Sequence, residues 1–125
     1  MLSSPLIRAD TVQALLQRYE VEARKSSPGF QGFSAERGHR LYMKKGDGSK
    51  SDTNCITCHT QDPKGMGRTR ANKDIQPLAP CANAMRFTDS AKVEKWFGRN
   101  CDDVFSRPCT VVEKGDFITW LLTIK

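Results

Sequence analysis

The sequence has no apolar run long enough to cross a membrane. Its longest apolar stretch, Phe117 to Ile124, falls well short of the roughly 20 residues a spanning helix needs. Hydrophobic residues make up only 38% of the 125, below the usual apolar share. One domain of this size would bury a modest core unless something apolar filled its middle. Histidine is scarce, with His39 and His59 the two present. There is no second CxxC and no HxxxH, which argues against a zinc site. No βαβ neighbourhood surrounds the one CxxC, which argues against a thiol-redox role. No internal repeat or low-complexity tract occurs. The net charge is +6, but no nucleic-acid motif accompanies it, so an acidic protein partner is the better reading.

What is present is helical pattern. Val12, Leu15, Leu16 and Tyr19 follow i, i+3, i+4, i+7 spacing, with Asp10 as the expected N-cap and Gln13 three residues on. The run Ser26-Ser27-Pro28-Gly29 should end this helix. A second helix is expected from about Ser34 to Lys45, with Gly38, Leu41 and Tyr42 on one face and Gly46 as its cap. Residues 46–54 read as a loop and 61–87 as a long irregular segment punctuated by Pro63, Gly65, Gly67, Pro77 and Pro80. Loops of that length in compact domains are usually functional. A further helix should follow Thr88, with Val93, Trp96 and Phe97 inward and Gly98 ending it. Thr110 and Glu113 have capping-box spacing ahead of the stripe Phe117, Trp120, Leu121, Ile124. Nothing reads as a strand, so the expected class is all-α: one domain over 1–125, with about 1–33 as an N-terminal extension carrying one helix.

The segment Cys55-Ile56-Thr57-Cys58-His59 carries the chemistry. Two thiols three residues apart lie about one helical turn apart and can each add to a vinyl group of one porphyrin. The next residue points an imidazole at the iron. This is the pattern of covalent c-type haem attachment, implying one haem c with His59 as an iron ligand. Cys81, Cys101 and Cys109 remain, enough for one disulfide and one free thiol. Covalent attachment of haem needs an export compartment in bacteria, so a periplasmic location is expected. Arg8 and Asp10 interrupt any apolar run at the start, so no signal peptide is read in this chain.

The surroundings resemble class I cytochromes c, in which N- and C-terminal helices cross at small and aromatic residues such as Gly38, Tyr42 and Trp120. That resemblance implies a backbone carbonyl at Pro77 accepting the Nδ1 proton of His59, which would fix the tautomer. An ordinary loop proline is the competing reading. For the sixth iron ligand, Met85 is the one credible methionine among Met1, Met43, Met66 and Met85. His39 reads better as a helical surface residue.

A closer resemblance comes from the stretch Arg86 to Cys101, which contains Trp96-Phe97-Gly98-Arg99-Asn100-Cys101, together with Pro77-Leu78-Ala79-Pro80, Cys109, Trp120 and Leu121. These are similar to the SHP ("sphaeroides haem protein") family, class I cytochromes with an asparagine as distal ligand. The resemblance spans about residues 10 to 125 and is densest from 75 to 122. It implies that Asn100 is the distal ligand and that Cys101 and Cys109 form a disulfide. Cys81 departs from the pattern. Asn100 read without the family is more readily a cap of the helix ending at Gly98. As a ligand, a neutral carboxamide suits ferric iron better than the softer ferrous ion, so reduction should release it and open a site for O₂, NO or CO.

Arg68, Arg70 and Arg86 are candidate partners of the haem propionates, each weighed against a solvated basic loop. Trp96 and Phe97 are expected to shape a pocket beside Asn100. Lys44, Lys45, Lys50, Lys64 and Lys73 would form a basic ring that steers acidic partners. The family implies a dihaem cytochrome c as electron donor and a linked membrane cytochrome b. Three functions compete. One is a diatomic-binding haem protein that accepts electrons and serves as terminal oxidase or reductase of a small oxygen or nitrogen species. The second is an ordinary electron carrier with Met85 or His39 as sixth ligand. The third is a haem gas sensor without turnover.

Overall fold

The computed structural model describes residues 11–46, 54–69 and 71–125. Five helices and one small hairpin follow in order: α1 Val12–Ser26, α2 Ala35–Met43, α3 Cys55–His59, β1 Gly67–Arg68, β2 Asp74–Ile75, α4 Ser90–Phe105 and α5 Val111–Leu122. The all-α reading holds. β1 and β2 form an antiparallel pair, Gly67 opposite Ile75. Strands this short have no side-chain period to read, which is why the sequence pattern shows only an irregular stretch there.

Each helix starts on a side-chain cap. Thr11 caps α1 by accepting from the Ala14 N–H; Asp10, the expected cap, lies outside the described residues. Ser34 caps α2 and Lys44 ends it, so that helix stops before Gly46. Thr110 and Glu113 form the expected capping box of α5. Arg107 donates to both oxygens of Glu113, at 2.8 and 2.9 Å, and burial's upward push on that carboxyl is more than offset by these and the Thr110 bonds.

The helix after Thr88 departs from expectation. It starts after Asp89, which accepts from the Lys92 N–H, and runs through Gly98 to Phe105. A mid-helix glycine costs only about 1 kcal/mol. The buried row Val93, Phe97, Cys101, Val104 and Phe105 more than repays that by packing inward. Asn100 therefore sits inside α4 and is not its cap. Cys101, inside α4, is joined by a disulfide to Cys109, with their Cα atoms 5.7 Å apart, which ties the C-terminal part of α4 to the segment just before α5.

The centre of the fold is the crossing of α2 on α5. Gly38 lies directly against the Asp116 backbone, and a Cβ there would run into the Asp116 carbonyl. The Asp116 side chain is buried. It accepts from the Ser34 N–H at 2.7 Å and from Arg37 Nε at 2.8 Å and Nη2 at 3.0 Å. Tyr42, Ile118 and Leu121 are fully buried around this contact. α1 packs on α5 and is tied to α4 through Tyr19, whose hydroxyl donates to Glu94. Lys114 of α5 reaches the other Glu94 oxygen at 2.7 Å.

Candidate haem site

α3 is one turn of helix, opened by Asn54, whose side chain accepts from the Thr57 N–H while Thr57 reaches back to the Asn54 N–H. That turn places Cys55, Cys58 and His59 on one wall of a cavity of about 640 Å³. Ile75, Leu78, Trp96, Val104 and Phe117 supply its apolar lining, and Asn54, Thr69, Asn100 and Asp103 its polar lining. Ligand and cofactor clefts occupy roughly 300–1,000 Å³, so the space, the two adjacent thiols and the imidazole fit a covalently held haem.

The protonation of the wall agrees. Burial, aided by the nearby Arg86 charge, lowers the His59 pKa to about 4. The imidazole is then neutral at pH 7, the form that donates a lone pair to a metal. Burial, with Cys58 close by, pushes the Cys55 thiol up to about 11. Behind the wall, Tyr42 donates to the Thr60 carbonyl just past the motif. Gly67 of β1 lies against the Cys58 carbonyl, where any side chain would collide with backbone. The hairpin thus locks α3 from outside through a glycine that sequence reading takes as a turn marker only.

Asn100 reaches this cavity from α4. Its Nδ2 donates to the Trp96 carbonyl at 2.8 Å. A carbonyl acceptor can be met only by the amide NH₂, so Oδ1 is the end of the side chain left for the cavity. Trp96 also lines the cavity, its ring 6.1 Å from that of His59. Phe97 is not part of that lining: one residue further round α4, it is buried against Trp96 and Phe117, and with Trp96 it lines a smaller cavity beside Asn100. Val104 and Asp103, absent from the sequence reading, line the cavity one turn beyond Asn100. Ending the helix at Gly98 hides them.

The loop residues correct several expectations. The Pro77 carbonyl accepts from Arg86 Nε at 3.1 Å, Arg86 Nη2 at 3.0 Å and Asn83 Nδ2 at 3.4 Å. It makes no bond to His59. Arg86 also donates to the Gln76 carbonyl at 2.7 Å, so it braces the loop's own carbonyls. Burial lowers its pKa. Arg68 turns along the hairpin to Asn72 at 2.7 Å and Asp74 at 3.7 Å and is not in the cavity lining. Arg70 lies outside the described residues. Met43, Met66 and Met85 are exposed, Met85 by 74%, and none lines the cavity. His39 stacks flat on Trp120 at 4.8 Å beside a different groove. Neither Met85 nor His39 is placed to be a sixth ligand. Cys81 is an exposed free thiol.

Comparison with known proteins places this geometry. A family model described as a domain of unknown function (DUF1924) matches residues 28–121. The cytochrome c-type protein SHP of Cereibacter sphaeroides is 46% identical over 123 residues, covering 97% of this chain and 91% of that protein. Cytochrome c'' of Methylophilus methylotrophus is 35% identical over 119 residues, covering 92% and 83%. Among solved structures, oxidized SHP, described as an oxygen-binding cytochrome c, matches with TM-score 0.82 and 44% identity over 93% of this chain and 99% of that one. Oxidized cytochrome c'' from M. methylotrophus matches with TM-score 0.81 and 34% identity over 91% and 94%. A solution structure of cytochrome c'' concerned with haem-ligand detachment matches with TM-score 0.78 and 34% identity over 90% and 93%.

Proposed function

This chain belongs to the SHP family and is a monohaem c-type cytochrome carrying haem c, and from that premise we propose that Asn100 is a redox-labile distal ligand whose release admits small diatomic molecules. In this reading Cys55 and Cys58 would hold the haem by thioether bonds and His59 would supply an imidazole ligand to its iron. The bound haem supplies one-electron redox chemistry and an iron site for O₂, NO or CO.

The observation that carries the proposal is the orientation of Asn100. Its amide nitrogen is fixed to the Trp96 carbonyl, and its carbonyl oxygen is the free end at a cavity shared with His59. The amide oxygen is a hard, neutral donor that matches ferric better than ferrous iron. The Trp96 bond holds the amide nitrogen on its own helix in either oxidation state, so only the carbonyl oxygen changes partner when the ligand leaves. Trp96, Val104, Phe117 and Leu78 give the same cavity an apolar lining, which suits uncharged gases. The likeness to an oxygen-binding cytochrome c and to a protein studied for haem-ligand detachment supports the same reading. An acidic partner cytochrome, of the dihaem c type, is the electron donor this reading calls for, supported by the +6 charge. The export requirement of c-type haem supports a periplasmic site of action.

Asn100→Ala tests the proposal. The ferric haem should become high-spin or water-ligated, and ferrous CO and NO should bind as fast or faster, since no side chain has to leave. Met85→Ala should leave the ferric spectrum unchanged. The reverse pattern would make the protein an ordinary electron carrier.

A further inference from the structure

The surface between α2 and α5 carries a second feature that the haem site does not use. An open groove of about 760 Å³ runs there, lined by Leu41, Met43 and Val112 with His39, Arg40 and Lys44 at its edge. Met43 is 45% exposed, an apolar side chain left in water beside cations. The carboxylates in its wall are already matched, Asp116 by Arg37 and Glu113 by Arg107. Arg40 pairs only loosely with Glu36, at 3.4 Å with both side chains largely in solvent. In the groove's lining Arg37, Arg40 and Lys44 outnumber Glu113 and Asp116, so the field is positive. An apolar floor inside a basic, hydrated rim is the anatomy of a transient protein interface, and its sign selects an acidic partner.

The groove is also close to the haem site. Leu41, in the groove wall, also lines a small cavity that contains Cys55, Trp96 and Asn100. Phe105 lines that small cavity too, and both Lys44 and Arg107 lie over its ring at 5.4 Å. A file of rings leads inward as well: His39 on Trp120 at 4.8 Å, Trp120 to Phe117 at 6.1 Å, and Phe117 to Trp96 at 5.7 Å. Leu41 is thus shared by the groove and by the small cavity that Cys55 lines.

We propose that the α2–α5 groove is the docking surface for an acidic one-electron donor protein, with Arg40 and Lys44 steering it and Leu41 and Met43 forming the contact. One electron passes from the reduced partner to the ferric haem. The partner is oxidised by one electron, the haem becomes ferrous, and no bond is made or broken. This rests on the haem reading above but not on Asn100 being the ligand, because it concerns only how the electron arrives.

Reduced flavodoxin, an acidic one-electron donor, serves as the probe, with free reduced lumiflavin as a neutral control. In stopped-flow mixing at low salt, the double variant Arg40→Glu with Lys44→Glu should accept electrons from flavodoxin at least about tenfold more slowly. Its rate should lose most of its salt dependence, and reduction by lumiflavin should be unchanged. Lys25→Glu with Lys92→Glu makes the same change in net charge away from the groove and should slow flavodoxin far less. Equal slowing by the two double variants would overturn the proposal, because net charge alone would then steer the donor. No slowing by the groove variant would overturn it as well. Sedimentation showing a wild-type dimer that Lys44→Glu dissociates would assign the groove to a second copy of this chain and overturn the donor reading. A failure of the Asn100→Ala spectrum would leave these rates untouched, so the two readings fail separately.

Discussion

The α2–α5 crossing and the segment from Thr60 to Asp89 are held by different kinds of contact. The crossing is regular helix on regular helix, closed by Gly38 against the Asp116 backbone, a buried carboxylate with three donors, and fully buried Tyr42, Ile118 and Leu121. The loop has a two-by-two-residue hairpin and little other regular structure. Three of the four described non-glycine residues with positive φ, Thr60, Asn72 and Phe87, fall inside it. Its carbonyls at Gln76 and Pro77 are held mainly by one half-buried arginine, Arg86. The frame satisfies itself; the loop encloses a cavity whose walls are the haem motif and α4. A haem protein needs both, a scaffold that stays put and a loop shaped around what it holds.

Two glycines separate these regions most sharply. Gly38→Ala and Gly67→Ala each drive a methyl group into backbone, the first at α5 and the second at α3. Neither clash can be relieved by turning a side chain. Gly38→Ala should cost about 3 kcal/mol and lower the thermal midpoint of the whole protein. Gly67→Ala should push α3 out of place and so disturb the haem spectrum more than it disturbs far-ultraviolet helicity. Equal global losses from both would show that the loop is part of the frame.

Arg86→Leu is the next sharpest test. It leaves the Gln76 and Pro77 carbonyls without their main donor, and removing such a bond costs about 1–3 kcal/mol. The loop should loosen, with faster hydrogen exchange between Gly65 and Phe87 and a shifted haem potential, while amides of α2 and α5 keep their protection. A uniform rise in exchange would contradict the division.

Much of the frame is legible in the sequence. The stripe of α5, its Thr110–Glu113 box, the end of α1 and the glycine contact of α2 all rest on local spacing. The end of α4 is not, because Gly98 is a terminator by propensity and is overruled by Cys101, Val104 and Phe105 packing inward. The haem motif is legible because two thioethers and an imidazole demand adjacent residues. The loop is not, because which carbonyl Arg86 meets depends on a tertiary path that no periodicity encodes. Asn100 sits between these cases: its residue type is visible, but only the family resemblance singles it out from a cap, and only the structure puts it within a helix.

The smallest effect concerns acid. Burial raises the Glu94 carboxyl, but hydrogen bonds from Lys114 and Tyr19 outweigh this and hold its pKa below the usual value. A depressed folded-state pKa gives stability above the unfolded value, near 4.3, that disappears as pH falls through the folded one. Glu94→Gln should therefore lower stability at pH 7 and flatten its acid dependence. The carboxylate is half exposed, so solvent screening keeps the difference under about 1 kcal/mol. Urea titrations of both proteins at pH 7 and pH 3 check it; an unchanged pH slope would remove the Tyr19–Glu94–Lys114 tie from the frame's energetics.

The account turns on whether the distal ligand leaves on reduction, and the optical spectrum of the wild-type protein in both oxidation states, with and without CO, tests this most directly. The ferric protein should be six-coordinate and low-spin. The ferrous protein should be high-spin and five-coordinate and should take up CO at once. A ferrous spectrum that stays low-spin and does not change under CO would contradict the account.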